Sequence, residues 1–332
     1  METKVISSVN IDQAAECIKM GGTVVFPTET VYGLGADAFN DEAIMKIFKA
    51  KNRPADNPLI VHISDMSDLE RLTQNICERA KVLAEKFWPG PLTMILNKLP
   101  DVSALVTAGL DTVAVRFPSN KLAQNLIKKS GTLIAAPSAN LSGSPSPTVC
   151  ADVIDDLDVR VDYIIDGTGC EIGLESTVVD VSSDDTVILR PGAITLEMIQ
   201  EFIPDATLDK GLIDTHIKPK CPGLKYTHYS PKAEVVVVQG EKEKVREYIL
   251  KKLETEKAGV ITYKGGNYDN ALLVLDAGEN MTEYAHNLFS YLRMFDKADV
   301  KKIYAEFINE DGMGIAVRNR LYKSAGHMVV EV

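Results

Sequence analysis

Cationic side chains and a histidine are concentrated in the stretch from Gly21 to Ile63. Lys49, Lys51 and Arg53 alternate at the end of a predicted helix, and His62 lies in the middle of the apolar strand that follows. Ammonium and guanidinium groups bind carboxylates and phosphates through charge-assisted hydrogen bonds, so the stretch predicts a cleft that takes an anion. Two other interpretations remain open. Cations at a helix end often face water as partners of the helix dipole, and a histidine in a central strand is commonly a hydrogen-bonded core residue.

Further polar groups lie within or at the ends of later strand-like segments. Arg116 falls in an alternating strand, Thr112 to Phe117, and Arg190 ends a second segment immediately before Pro191-Gly192. The loop from Pro137 to Thr148 is dense in hydroxyls, and its hydroxyl and backbone N–H groups could wrap phosphate oxygens. The same loop composition is typical of a plain connector, so the residues alone leave its role open.

Strands and helices alternate through this part of the chain and would position these groups. A β-branched and aromatic run, residues 23–26, predicts a buried strand, and a polar turn that includes Thr28-Glu29-Thr30 and Gly33-Leu34-Gly35 follows it. Asn40 can cap the next helix, whose apolar face is Ala43, Ile44, Ile47 and Phe48. The spacing of apolar residues also predicts one long helix from Ser67 to Phe87.

Composition bounds the class of protein. The chain has 332 residues, long enough for about two domains of ~150 residues each. Its net charge of −11 argues against tight nonspecific binding of nucleic acid, because any polyanion would have to meet a local basic patch. The five cysteines never form a C-x-x-C pair, which indicates neither a zinc site nor a disulfide framework. No segment resembles a signal peptide or a membrane span, so we expect a cytoplasmic protein that contacts no membrane.

The last third of the chain has a different organisation. Residues 209–232 are irregular and rich in proline, and they predict an interdomain linker. Alternating strand and helix patterns restart after the linker and predict a small α/β domain with a largely parallel sheet. The expected domains are therefore 1–208, 209–232 and 233–332. The chain lacks the G-x-G-x-x-G and G-x-x-x-x-G-K-[ST] patterns, which disfavours dinucleotide binding and P-loop chemistry.

Six sequence blocks occur in order: PTETVYGLG, KNRPADNPLIVH, TVAVRFP, APSANLSGSPSPT, ESTVVD and ILRPG. Together they resemble the YrdC-type threonylcarbamoyl-AMP synthases, and PGLKYTHYSP followed by a small domain resembles the long two-domain form of that family. Each block alone is a weak signal, whereas the ordered set is highly specific. The resemblance implies an α/β fold with a YrdC-like twisted mixed sheet and a concave basic cleft, and a smaller Rossmann-like α/β C-terminal domain.

The resemblance also assigns roles to residues of this sequence. The implied ligands of L-threonine are Thr30, His62, Arg116, Ser176 and the backbone near Ala136. The implied ligands of ATP are Arg53, Asn57, Thr112, Ser138, Ser146, Arg190 and Tyr229. Catalytic roles are implied for the Lys-x-Arg and Ser-x-Asn pairs, here Lys51, Arg53, Ser138 and Asn140. Arg116 is chemically apt, because a planar guanidinium can hold a carboxylate through two parallel hydrogen bonds.

The implied reaction joins L-threonine, bicarbonate or CO2, and ATP to give threonylcarbamoyl-adenylate and pyrophosphate. The carbamate oxygen attacks the α-phosphorus of ATP, and the sequence has no Ser-His-Asp or Cys-His pattern that would indicate a covalent enzyme intermediate. Mg2+ is expected to bridge phosphate oxygens without a cage of protein carboxylates. Partner proteins would then transfer the carbamoyl group to the adenosine beside the anticodon in tRNAs that read codons starting with A. The chain itself is expected to make no more than a weak contact with tRNA.

The expected linker includes a segment rich in aromatic residues, and two other functions remain as alternatives. Lys225–Pro231, which includes Tyr229, is expected either to fold over the cleft as a lid that shields a labile intermediate from water or to be a plain spacer. An RNA-binding module is the first alternative function, although the acidic charge and the scarcity of clustered cations count against it. The second alternative is a carbamoyl-handling domain like that of hydrogenase-maturation carbamoyltransferases, whose acylphosphatase and zinc-finger regions this sequence does not show.

Overall fold

The computed structural model of this protein describes residues 2–213, 229–308 and 311–332. These residues form two compact units. Unit 1 comprises residues 2–142, 146–171 and 175–213, and unit 2 comprises residues 143–145, 172–174, 229–308 and 311–332. Residues 214–228 of the expected linker lie outside the described ranges, and with them Lys225–His228 of the expected lid.

Unit 1 contains, within the described residues, eleven strands, eight α-helices and two short 3-10 helices. The strands are β1 (Lys4–Ser7), β2 (Val24–Phe26), β3 (Gly33–Asp37), β4 (Ile60–His62), β5 (Leu92–Asn97), β6 (Thr112–Arg116), β7 (Ile134–Ala136), β8 (Tyr163–Asp166), β9 (Thr177–Asp180), β10 (Val187–Arg190) and β11 (Thr207–Leu208). The α-helices are α1 (Ile11–Lys19), α2 (Asp41–Lys51), α3 (Glu78–Phe87), α4 (Ala104–Thr107), α5 (Lys121–Ser130), α6 (Cys150–Leu157), α7 (Leu196–Gln200) and α8 (Lys210–Ile213). The 3-10 helices span Ser8–Asn10 and Met66–Arg71.

The eleven strands form one mixed sheet in the order β1-β8-β2-β3-β7-β4-β6-β5-β9-β10-β11. In the middle of this sheet, β4 lies parallel to β6 and antiparallel to β7, while β5 lies antiparallel to β6 and parallel to β9. The register places His62 beside Arg116 on one side and Thr93 beside Arg116 on the other. Neighbours in the sheet are therefore seldom neighbours in the sequence. The sheet confirms the predicted mixed α/β architecture.

Helix α2 illustrates how the sequence determines its local structure. The side chain of Asn40 accepts a hydrogen bond from the backbone N–H of Ala43, as predicted for a helix cap. The predicted apolar face, Ala43, Ile44, Ile47 and Phe48, is buried, and each large side chain of this kind contributes about 1.5–3 kcal/mol. The helix ends at Lys51, and the left-handed backbone of its C-cap residue Asn52 (φ 52°) turns the chain just before Arg53.

The predicted long helix from Ser67 to Phe87 is wrong. The chain forms the 3-10 helix Met66–Arg71, then a non-helical segment, and then α3. Asp65 and Asp68 make a reciprocal capping box around the short 3-10 helix. The carbonyl of Leu72 accepts a hydrogen bond of 2.8 Å from the N–H of Leu99 and is thus committed to another part of the chain instead of to a continuing helix. A tertiary hydrogen bond overrides the helical periodicity here.

The segment Gly33-Leu34-Gly35, predicted to belong to a turn, is the first part of strand β3. This strand pairs with β2 and with β7, so it lies inside the sheet. A Cβ atom on Gly35 would lie 2.5 Å from a methyl group of Ile134 and 2.7 Å from the ring of Phe26. The glycine therefore permits close side-chain packing within the sheet, and it does not mark a turn.

Unit 2 contains a five-stranded sheet and three helices within its described residues. The strands are β12 (Glu234–Gln239), β13 (Gly259–Thr262), β14 (Val274–Asp276), β15 (Lys302–Phe307) and β16 (Val329–Glu331). The helices are α9 (Lys242–Leu253), α10 (Met281–Lys297) and α11 (Met313–Ser324). The order is β14-β13-β15-β12-β16, and the four pairings are parallel, which confirms the predicted parallel sheet. No helix in the described ranges has the length and apolar character needed to cross a bilayer.

Candidate active site

Arg116, the last residue of β6, lies at the centre of the residues expected to bind threonine. Its side chain is 5% exposed, and its Nη2 lies 2.7 Å from Oε1 of Glu29, which is also buried. Its Nη1 donates a hydrogen bond of 2.9 Å to the hydroxyl of Thr30. Within the described residues Nε of Arg116 donates no hydrogen bond. The guanidinium is therefore held by two neighbours and retains a donor for a ligand.

Glu29 is ionised in this environment. Burial opposes the charged form of its carboxyl group, but the positive charge and the hydrogen bond of Arg116 outweigh burial and hold the pKa of Glu29 below its ordinary value. The hydroxyl groups of Thr28 and Thr30 share a hydrogen bond of 2.8 Å beside this pair. The result is a buried ion pair surrounded by hydroxyls.

His62 lies on β4 directly beside Arg116 and is buried. Its ring packs edge-on against Phe26, with ring centroids 5.9 Å apart, and its Nδ1 lies 3.1 Å from the carbonyl oxygen of Ile60. Burial first, and the charge of Arg116 second, lower the pKa of His62 to about 3. The imidazole is therefore neutral around pH 7 and adds no charge to the Arg116–Glu29 pair.

Ser176 connects two strands to a second arginine. Its hydroxyl shares a hydrogen bond of 2.7 Å with the hydroxyl of Thr93, the register partner of Arg116. Arg190 donates from Nε to the carbonyl of Ser176 and from Nη2 to its hydroxyl, both at 3.0 Å. Arg116 and Arg190 are thus joined through Thr93 and Ser176, although 74 residues separate them in the numbering.

Lys51 is 1% exposed, and its ammonium group donates to the backbone carbonyls of Ser138 and Asn140. The hydroxyl of Ser138 in turn donates to Oδ1 of Asn140 at 2.5 Å. The loop that carries both residues follows β7, whose last residue is Ala136. The structure therefore joins the expected Ser-x-Asn pair to the lysine of the Lys-x-Arg pair, and the lysine orders the loop.

The remaining residues expected to bind ATP are more widely distributed. Nη2 of Arg53 lies 3.4 Å from the carbonyl oxygens of Asn57 and Pro58, so these contacts stay within its own loop. Thr112 starts the strand that Arg116 ends, which places it about 13 Å away along β6. Ser146 is buried and donates to Oε1 of Glu175 at 2.6 Å. These roles in ATP binding stay predictions.

Tyr229 belongs to unit 2 and has a left-handed backbone (φ 65°). Its ring stacks on that of Phe289 with centroids 5.1 Å apart. The guanidinium of Arg320 and the ammonium of Lys323 lie 5.8 and 5.9 Å from the centre of the tyrosine ring. Cationic groups over an aromatic face are mutually attractive. The expected contact of Tyr229 with ATP stays a prediction.

Sequence reasoning missed two residues of this cluster, Glu29 and Thr93. Glu29 stands between two threonines in the polar turn, and an acid adjacent to the expected ligand Thr30 was an available signal. Thr93 gave no such signal, because its place beside Arg116 depends on the antiparallel register of β5 and β6. That register involves two strands separated by a helix and a loop, so local patterns do not encode it.

The fold and the site together define an α/β protein whose mixed sheet carries a buried arginine–glutamate pair among hydroxyl groups. Two family models match the chain. One, described as "Telomere recombination" (Sua5, YciO and YrdC), matches residues 16–192. The other, described as the C-terminal domain of threonylcarbamoyl-AMP synthase, matches residues 194–326.

Relatives match over nearly the whole chain. The threonylcarbamoyl-AMP synthase of Pyrococcus abyssi is 47% identical over 325 residues, covering 96% of this chain and 95% of that protein. The one of Bacillus subtilis is 48% identical over 326 residues, covering 96% and 94%. The crystal structure of P. abyssi Sua5 complexed with L-threonine superposes with a TM-score of 0.94 at 45% identity over all of both chains. The chain belongs to the Sua5/YciO/YrdC family of threonylcarbamoyl-AMP synthases, in its two-domain form.

Proposed function

We propose that this chain is an L-threonylcarbamoyladenylate synthase, which condenses L-threonine, bicarbonate or CO2, and ATP to threonylcarbamoyl-AMP and pyrophosphate. The observation that carries the proposal is the contact network around Arg116. Thr30, His62 and Ser176 come from separate parts of the sequence, yet each is connected to Arg116 by a hydrogen bond, a strand pairing or the intermediate Thr93. These are the residues expected to bind threonine, and the structure that superposes on this chain is that of a relative complexed with L-threonine.

The threonine carboxylate would bind the guanidinium of Arg116. A planar guanidinium holds a carboxylate better than a point charge does, because two parallel hydrogen bonds fix its orientation. Thr30 and Ser176 would supply hydroxyl partners for the polar groups of threonine, and neutral His62 would orient the small substrate without adding charge. The backbone near Ala136 would complete the pocket.

The chemistry requires the threonine ammonium group to lose a proton, the neutral amine to add to CO2 and release a second proton, and the resulting carbamate oxygen to attack the α-phosphorus of ATP as pyrophosphate leaves. The carbamate is labile, so the enzyme's contribution is to hold the reactants in line and to neutralise developing charge. Arg53 and Arg190 would contact the phosphates, with Asn57, Thr112, Ser146 and Tyr229 as the further ATP ligands that we propose. Lys51 donates to the backbone carbonyls of Ser138 and Asn140 and would act through the loop that it holds. Ser138 and Asn140 would contact the reactants.

We further propose that Mg2+ enters with ATP. In the described part of the chain no group of three or more His, Cys, Asp or Glu side chains is arranged to hold a metal ion. The phosphate oxygens of ATP and water molecules would therefore coordinate Mg2+. Bound to phosphate, the ion would neutralise negative charge. The product would pass to a threonylcarbamoyl-transferase machinery that acts on tRNA, with at most a weak contact between this chain and tRNA. We propose a cytoplasmic location for this role.

The test is direct mass detection of the product. The full chain is incubated with ATP, Mg2+, L-threonine and bicarbonate, and the quenched mixture is assayed for threonylcarbamoyl-adenylate and pyrophosphate. The proposal predicts both products, and neither when threonine or bicarbonate is omitted. Binding of tRNA in a salt-sensitive manner, without release of pyrophosphate, would instead support the RNA-binding alternative.

A further inference from the structure

Glu29 is a buried, charged residue to which the proposed reaction gives no role. It is 3% exposed and lies in the turn between β2 and β3, immediately before Thr30. Burying a carboxylate is costly unless a positive charge compensates it. Arg116 supplies that charge at 2.7 Å. The pair keeps one positive and one negative charge in the pocket, and both charges bear on which ligand the pocket selects.

Within the group formed by Arg116, Glu29, His62 and Cys170, the charges sum to zero. Glu29 is ionised, because Arg116 more than offsets the burial that opposes ionisation and keeps the pKa of Glu29 below its ordinary value. His62 is neutral, since burial and Arg116 lower its pKa to about 3. The thiol of Cys170 is also neutral, because burial above all raises its pKa to about 12. One positive and one negative charge therefore remain in this group.

A lone buried arginine would favour any small monoanion. A ligand that brings only a carboxylate to the Arg116–Glu29 pair adds an unbalanced negative charge a few ångströms from Glu29. A zwitterion brings a positive group as well and leaves the pocket balanced. With an effective dielectric of about 20 and charges about 5 Å apart, the difference corresponds to a preference on the order of 100-fold.

We propose that Glu29 is a specificity-determining residue of the threonine pocket, which makes the pocket select the zwitterionic amino acid over carboxylic acids that lack the α-ammonium group. The inference rests on the proposed function, because it takes the threonine carboxylate to bind Arg116. Glu29 acts through charge balance and through the orientation of Arg116, whose Nη1 and Nη2 face Thr30 and Glu29 while Nε donates no hydrogen bond within the described residues.

The test measures binding of two ligands to the full chain by titration calorimetry, without ATP or bicarbonate. The ligands are L-threonine and its analogue in which a hydroxyl replaces the α-amino group. The wild-type chain is expected to bind threonine about 100-fold more tightly than the hydroxy acid. In Glu29→Gln, which keeps the shape and removes the charge, this ratio is expected to fall at least about tenfold. Glu29→Asp keeps the charge and is expected to retain most of the ratio.

An unchanged ratio in Glu29→Gln would overturn the inference, and so would a loss of the ratio in Glu29→Asp equal to that in Glu29→Gln. A merely structural role would change stability or both affinities in parallel and would leave the ratio unmoved. If Glu29→Gln does not fold, the titration of the wild-type chain remains a test, because equal affinity for L-threonine and the hydroxy acid contradicts the inference. Failure of the proposed function is a separate result, namely threonine binding with the expected ratio but no threonylcarbamoyl-adenylate in the mass assay.

Discussion

Each unit of this protein buries a glutamate within its sheet region, and the two are compensated differently. Glu306 of unit 2 is fully buried on β15 and accepts hydrogen bonds from the hydroxyl of Thr262, the backbone N–H of Tyr263 and the hydroxyl of Tyr268. Its nearest cation, Arg246, lies at 3.8 Å. Glu29 of unit 1 instead lies 2.7 Å from the guanidinium of Arg116.

The difference is the one expected between a structural site and the proposed binding site. The carboxylate oxygens of Glu306 are occupied by donors from the adjacent strand and loop, so they fix the segment after β13 and leave little for a ligand. The Arg116–Glu29 pair holds two opposite charges and keeps a donor, Nε, that makes no hydrogen bond within the described ranges. Buried polar groups with a spare donor are a common mark of functional sites.

Arg116→Lys should have the largest effect. Lysine keeps a positive charge for Glu29 but lacks the planar fork, so the carboxylate of threonine loses bidentate binding. We expect kcat/KM for threonine to fall by about 100-fold to 1,000-fold, since each charge-assisted hydrogen bond contributes about 1.5–3 kcal/mol. Steady-state kinetics with pyrophosphate detection measure the change. An equal rise in KM for ATP would contradict a role confined to threonine.

Lys51→Met should destabilise unit 1. The substitution leaves the carbonyls of Ser138 and Asn140 without their buried ammonium donor. We expect the free energy of unfolding to fall by about 2–4 kcal/mol, and activity to fall with the order of the loop. The matched control is Lys49→Met, two residues earlier in the same helix and exposed, which should change stability by less than about 0.5 kcal/mol. Equal effects of both substitutions in chemical denaturation would show that Lys51 does not order the loop.

Glu306→Gln should affect stability alone. The NH2 group of glutamine replaces one of the two acceptor oxygens and so faces either the hydroxyl of Tyr268 or the donors of Thr262 and Tyr263; we expect a loss of about 1–3 kcal/mol in the free energy of unfolding. The partners of Glu306 all belong to unit 2, and KM for threonine should stay within about twofold of wild type, as for substitutions away from a binding site. A selective loss of threonine affinity would break the contrast with Glu29.

The last prediction concerns pH. The folded pKa of His62, about 3, lies below its unfolded value near 6.5, so the unfolded chain binds a proton first as the pH falls. Stability due to neutral His62 is therefore present above about pH 6.5 and is lost towards pH 3, by no more than about 1.4 kcal/mol per pH unit. Between pH 7 and pH 5 the slope should be smaller in His62→Gln than in wild type. His327→Gln, at an exposed position, should leave the slope unchanged.

Local patterns predicted the elements of this fold better than their arrangement. The Asn40 cap, the apolar face of α2 and the parallel sheet of unit 2 follow from short-range periodicity and are confirmed. The helix expected over 67–87 failed because a hydrogen bond from Leu99 occupies the carbonyl of Leu72. Gly33 and Gly35 suggested a turn, but at Gly35 the glycine is needed because Ile134 and Phe26 pack against the backbone. The sequence alone does not show that contact.

The candidate site shows the same limit. Arg116, His62 and Lys51 were recognisable by residue type and motif, but their partners were not. The pairing of Arg116 with Glu29 depends on the order β2-β3-β7-β4-β6, and the link through Thr93 depends on the pairing of β6 with β5; both join strands distant in sequence. Motifs identify the candidate functional residues, whereas the strand order of the sheet determines which of them are in contact.

The central claim is that the guanidinium of Arg116 binds the carboxylate of L-threonine. Titration calorimetry of the wild-type chain with L-threonine and with L-threoninamide, whose carboxylate is replaced by a neutral amide, tests it most directly. The account predicts that the amide binds at least about 100-fold more weakly, and that Arg116→Lys reduces this difference, because lysine keeps the charge but loses the second parallel hydrogen bond. Equal affinities of the wild-type chain for the two ligands would contradict it.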